Sequence, residues 1–264
     1  MGVPFLTDID SRAAVKGSRD PLGTQAIWTH LGRHVAGNLT TVTSSVRDFT
    51  TTILGFAFLP RLRDLGSNTS DLDAFLRWEQ VAAYCRAHVN RDTGFRGTER
   101  VKARLSKGKR VYVSAASEHQ ILSNQKIYGL WGLYINASRD SGLIEVDPHR
   151  PSAASLAMLD STVFPILGNA GFPDATAIVE FLNKQRAILD LDGRHSQMAG
   201  AIGKVLQRRL NAKERTFYYD LSSEFLRRIN PSRIDWFSSN EVTSLHASPI
   251  SLRRREQPEK CLST

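Results

Sequence analysis

The segment between Asp71 and Asn90, DLDAFLRWEQVAAYCRAHVN, constrains the fold more than any other. Phe75, Trp78, Val81, Ala82, Cys85 and Val89 recur at spacings of three and four, so a helix places them on one face. Arg77, Glu79 and Arg86 fall elsewhere on the same helix. Ser70 stands where an N-cap is needed, and GSNTSD before it reads as a linker. A helix this apolar requires partner faces, which points to a helical bundle.

The flanking sequence supplies such partners. From Thr24, Ile27, Leu31, His34 and Val35 share a helical face that Gly37 and Asn38 can end. A second helix begins near Thr43, with Val46, Phe49, Ile53 and Phe56 spaced by three or four, and Pro60 is expected to stop it. Its threonine-rich start, TTVTSSVRDFTTT, has poor helix propensity, so tertiary packing must hold it. Beyond Pro148, helices are expected over 152–166, 174–186, 193–210 and 213–229, broken at GNAGFPD and LDLDG. Pro173 suits a helix start and Asp192 a helix cap. The first twenty residues read as an irregular arm, and the last twenty, with SPISLRRREQPEKCLST, as a mobile tail. The organisation expected is an arm and helical domain over 1–90, a basic segment over 91–147, a helical region over 148–243 and the tail over 244–264.

Charge is concentrated in one part of the chain. Residues 1–90 hold nine Lys/Arg and eight Asp/Glu, leaving +8 of the net +9 to the rest. The densest stretch, RDTGFRGTERVKARLSKGKR over 91–110, carries eight basic and two acidic side chains. Thr98 can cap a short helix there, with Val101 and Leu105 inward and Arg100, Arg104 and Lys107 forming a stripe. A one-sided basic field is the footprint of a polyanion binder, although a solvated surface or a site for an acidic protein carries the same charge.

Residues 98–147 resemble a winged-helix domain in the order of their elements. A basic helix over 98–107 leads to a strand over 110–114, a helical turn over 116–121, a helix over 123–138 and a strand over 143–147. Ser123 caps the third of these helical pieces, placing Asn124, Gln125 and Lys126 in the first turn, where side chains reach base edges or phosphates. Ile127, Leu130, Trp131 and Tyr134 then form its buried face. Against the resemblance stand Gly129 and Gly132 inside the helix, the shortness of the preceding turn, and a return strand that PHRPSAASLAML does not suggest. The alternative for 123–138 is a core helix of an all-α bundle.

No catalytic set emerges. The cysteines, Cys85 and Cys261, stand alone, and the histidines are scattered. His30 and His34 sit four apart without a metalloprotease glutamate. ILDLDGRH lacks two ligands of a calcium loop, and no phosphate-binding or nucleophile-elbow motif occurs. Asp92, Glu99 and Glu118 lack the strand context of a nuclease metal site, and Glu118 and His119, being adjacent, are not expected to face each other. The three N-x-S/T triplets, at Asn38, Asn68 and Asn136, fit chance in a chain without a secretory signal. The apolar run from Ile53 to Leu59 is too short to span a bilayer.

These readings give a mainly α-helical bundle with a small winged-helix-like α/β segment, cytoplasmic, without cofactor or metal and not a membrane protein. The function expected is a non-enzymatic nucleic-acid-binding or scaffold subunit of a larger prokaryotic assembly, such as a defence or genome-maintenance complex. Its partners would be duplex DNA and other protein subunits. The contact residues expected are Arg96, Arg100, Lys102, Arg104, Lys107, Lys109, Arg110, Asn124, Gln125 and Lys126. The alternatives are a protein-interaction module that docks an acidic partner and, third, a nuclease of unrecognised type.

Overall fold

The computed structural model describes Thr43 and residues 45–229. The arm, the helix from Thr24, the His30/His34 pair, Cys261 and the tail lie outside these residues. The described chain is mainly helical with two small antiparallel sheets. Helix α1 (Val46–Asp64) is capped by Ser45, whose Oγ accepts from the Asp48 N–H. Helix α2 (Asp71–Asn90) is capped in the same way by Ser70. A short basic helix, α3 (Thr98–Lys107), precedes strand β1 (Arg110–Ser114) and a 3₁₀ turn at Ser117–His119. Then come α4 (Gln125–Tyr128), α5 (Leu130–Asp140) and the hairpin β2 (Ile144–Val146) with β3 (His149–Pro151). Helices α6 (Ala153–Thr162) and α7 (Phe164–Asn169) lead to a 3₁₀ turn at Pro173–Ala175. Helix α8 (Thr176–Asn183), strand β4 (Arg186–Asp190), α9 (Ser196–Val205) and α10 (Ala212–Ile229) complete the described chain.

Helix α2 is the centre of the fold. It packs against α1, α3, α5, α8, α9 and β1, so it is buried around most of its circumference from Ala74 to Arg86. The apolar face expected from the sequence is largely in place, but Val89 at its end is exposed. Gly55 of α1 makes the α1–α2 contact close: a Cβ there would lie 2.4 Å from Trp78 Cδ1. The threonine run is held by packing, with Thr50, Thr51 and Thr52 buried and the last two hydroxyls donating to the Arg47 and Asp48 carbonyls. Buried apolar residues from Phe49 to Leu206 form one cluster, continuous across the composition boundaries at 90/91 and 147/148.

Several local expectations are corrected. Pro60 lies inside α1, which continues to Asp64 because the buried Leu62 anchors the turn beyond it. The piece expected as one helix over 123–138 is two helices that meet at Gly129, and its cap is Asn124 rather than Ser123. Thr98 is the first residue of α3 and Gly97 its cap, at φ 82°, where a Cβ would come within 2.8 Å of the Ile121 carbonyl. The return strand exists: β3 pairs with β2, register Glu145↔Arg150. Strand β1 does not join this hairpin but pairs antiparallel with β4, Tyr112 opposite Ile188, a strand that falls where helix was expected to end. Over 98–151 the elements run helix, strand, 3₁₀ turn, two helices and a hairpin, and β1 pairs outside this segment rather than with the hairpin. Asp192 is not a cap; it lies 2.9 Å from His88 Nε2. No described helix is long and apolar enough to cross a membrane.

Candidate nucleic-acid interface

Helix α3 has two flanks with different roles. Val101 and Leu105 face the core. On one flank, Arg104 donates to the Tyr84 hydroxyl and to the carbonyls of Glu118, His119 and Gln120, and Arg100 donates to the Gln120 carbonyl at 3.3 Å. Two members of the expected basic stripe therefore tie down the 3₁₀ turn, whose terminal carbonyls have no helical partner. Lys107, the third, is exposed.

The other flank borders a cleft of about 500 Å³, lined by Ala87, His88, Arg91, Asp92, Thr93, Lys102, Leu105, Ser106 and Lys109. Arg91, Lys102 and Lys109 bring three cations to it from the end of α2, from α3 and from the segment after α3. Arg91 is a left-handed C-cap at φ 51°, a backbone state usually left to glycine. The walls are fixed. Asn90 Nδ2 donates to the Gly203 and Leu206 carbonyls, which anchors the end of α2 to the end of α9. Lys109 Nζ donates to the Leu105 carbonyl, closing the end of α3. The acid in the lining, Asp92, is buried and committed elsewhere: Oδ2 pairs with Arg86 at 2.9 Å and Oδ1 accepts from the Gly94 N–H. Lys102 has a solvent-exposed contact with Glu99 at 3.4 Å. Such an exposed pair contributes little and yields readily to a stronger anion.

The residues expected to read bases separate from one another. Lys126 is exposed, and so is Asn124, whose Oδ1 accepts from the Ile127 N–H as the cap of α4. Gln125 is a correction: at 0 % exposure it is a core residue and cannot reach a ligand. Its Nε2 donates to the Leu76 carbonyl and to Glu79 Oε2, and its Oε1 accepts from Gln80 Nε2 and the Ile121 N–H. Gln80 in turn pairs with both backbone groups of Ser114, as a neighbouring strand would. Ile127, expected inside, is 52 % exposed because the break at Gly129 turns α4 outward; Trp131 is half-buried against Phe56 and Phe75. Arg96 lines a small interior pocket with Asp48, Glu79 and Arg86 rather than the cleft. Arg110 is exposed at the start of β1, 3.7 Å from Asp190.

That interior pocket is the other concentration of ionisable groups. Arg86 NH1 meets Asp48 Oδ1 at 2.6 Å, and Tyr134 donates to Asp48 Oδ2 at 3.4 Å. Glu79 Oε1 accepts from the Leu130 N–H at 2.8 Å, the first residue of α5. Burial pushes the Glu79 carboxyl up to about 7, against the pull of these hydrogen bonds and of Arg96. Burial likewise raises Asp48, opposed by Arg86, and pushes the Cys85 thiol up. The pocket holds barely one water, so these groups cannot act on a substrate.

Among the described residues no group of three or more His, Cys, Asp or Glu side chains could hold a metal ion. Of the acids considered for a nuclease, Asp92 is buried on Arg86 while Glu99 and Glu118 are exposed. Glu118 and His119 do approach each other, at 3.8 Å. No family model, curated protein or solved structure matches the chain.

Proposed function

We propose that the protein is a cytoplasmic nucleic-acid-binding subunit that grips the phosphate backbone of duplex DNA in the cleft between α2 and α3. The observation that carries this reading is the convergence of Arg91, Lys102 and Lys109 on one open cleft whose lining acid is already paired. Phosphate is the anion that such a site suits, because a stereochemically loose set of cations holds backbone charge without reading sequence. Lys107 and Lys126, exposed outside the cleft, supply further positive field. Other subunits of an assembly would supply any chemistry.

The test is fluorescence anisotropy with a labelled duplex across a salt series. If about four phosphates are neutralised, log K falls against log salt with a slope near −3.6. Lys102→Glu and Lys109→Glu each lower affinity and flatten that slope, by about 0.9 per lost phosphate contact. Undetectable binding at low salt overturns the proposal. Equal competition by polyglutamate moves the cleft to the acidic-protein reading.

A further inference from the structure

The sheet formed by β1 and β4 has one face on α2 and one face open. Along β1, Val111 and Val113 are buried while Arg110 and Tyr112 point outward; along β4, Ala187 and Leu189 are buried while Arg186 and Ile188 point outward. The register sets Tyr112 directly across from Ile188, and the two are 45 % and 38 % exposed. Tyr112 is part of a stack of planar groups. The Arg186 guanidinium carbon lies 4.4 Å from its ring centroid, and the His119 imidazole lies 5.3 Å away at an interplanar angle of 29°. Arg186 is itself exposed, so its guanidinium adds a cationic surface beside the apolar one of Ile188. Two carboxylates border the face: Asp190 lies 3.7 Å from the Arg110 guanidinium, and Glu118 lies 3.8 Å from the His119 imidazole, which burial and the nearby Arg186 and Arg104 shift toward its neutral form.

We infer that this face binds single-stranded DNA, with a base continuing the stack on Arg186 and packing against Ile188. The inference rests on the nucleic-acid reading of the cleft and extends it. Unpaired bases stack on aromatic rings and on guanidinium planes, and a cation beside each stack attracts the backbone. Continuity with the cleft favours this occupant: Lys109 lines the cleft and the next residue, Arg110, opens the sheet face. A strand held by its phosphates in the cleft reaches the stacking surface past Arg110, whose guanidinium lies 3.7 Å from the carboxylate of Asp190 at that junction.

The experiment measures binding of the full chain to fluorescein-labelled oligothymidylate, an abasic strand of equal length, oligouridylate and a duplex. Tyr112→Ala and Arg186→Ala should each weaken oligothymidylate binding about tenfold, within the range for loss of one stacked base. Neither should change abasic-strand binding by a comparable factor. Arg186→Lys separates the causes: it keeps the charge and loses the plane, so it should bind oligothymidylate nearly as weakly as Arg186→Ala, while Tyr112→Phe binds like the parent. Unchanged oligothymidylate affinity in Tyr112→Ala and Arg186→Ala, with duplex binding intact in the parent, overturns the sheet-face inference alone. Restoration by Arg186→Lys overturns stacking in favour of charge, and tighter binding of oligouridylate overturns DNA as the occupant. A parent that binds no probe overturns this inference and the cleft reading together.

Discussion

Glu79 is expected to make stability fall as pH rises through the mildly acidic range, and a single substitution should remove the effect. The carboxyl is 3 % exposed, and its two hydrogen bonds, from the Leu130 N–H and Gln125 Nε2, do not offset the loss of water. It titrates near about 7 in the folded chain and near 4.5 when unfolded. Between those values the folded state holds a proton that the unfolded state has released, so stability decreases with rising pH and levels off above about 7. At about 1.36 kcal/mol per pH unit, the full effect is about 3 kcal/mol. Asp48 acts in the same direction from a lower starting point. Urea unfolding followed by tryptophan fluorescence measures this, with the parent and Glu79→Gln compared from about pH 5 to about pH 8. The variant leaves one oxygen for two donors, which costs about 1–3 kcal/mol at every pH. The diagnostic is therefore the change in the difference between the two proteins, expected to be about 3 kcal/mol in the variant's favour on going to high pH. A parent-to-variant difference that stays constant across the range refutes the reasoning, because Glu79 would then not titrate within it.

Two further outcomes follow from the packing. Gly55→Ala drives a methyl to 2.4 Å from Trp78 Cδ1 and 2.8 Å from Phe75 Cε2. It should destabilise by about 1–3 kcal/mol or more, and an unchanged melting temperature would show that α1 and α2 can part at no cost. Arg104→Ala removes four hydrogen bonds that hold the 3₁₀ turn and Tyr84. It should lower the melting temperature while leaving the salt slope of DNA binding in place, and a flattened slope would instead make the stripe a phosphate site.

The helices were legible wherever an apolar period ran for several turns against ordinary breakers, as over 71–90 and 196–205. Helix α1 overran its proline because burial of Leu62, a tertiary effect, outweighs a local breaker signal. Strand β4 was hidden because it spans only five residues directly after a helical pattern. Its alternation, Arg186 and Ile188 out with Ala187 and Leu189 in, was the signal that could have found it. The site was half legible. Lys102 and Lys109 are legible from charge alone, but Arg91 is not, since its place in the cleft lining follows a left-handed cap that composition does not reveal. A polar residue in a first helical turn reads as exposed, but Gln125 is drawn into the core by its hydrogen bonds to Leu76, Glu79, Gln80 and Ile121.

The polar side of α2 is drawn inward in the same way, and the pattern is informative. Arg77, Glu79 and Gln80 are all buried, and Asn90 is partly buried; each meets a backbone end of another element. Arg77 Nε donates to the Leu182 carbonyl near the end of α8, and Asn90 donates to carbonyls at the end of α9. Glu79 accepts at the start of α5, and a Cβ at Gly129 would fall within 2.7 Å of both its carboxylate oxygens. Cationic or donor groups thus sit at helix C-termini and the carboxylate at an N-terminus, the arrangement that helix dipoles favour. These side chains were drawn inward because ends of neighbouring helices converge on one central helix and leave backbone groups that water cannot reach. One consequence reaches the surface. The anchor at Asn90 fixes the end of α2, and the left-handed residue that follows, Arg91, lines the cleft with Lys102 and Lys109. The cationic cleft is therefore held in place by the buried polar face of the helix behind it.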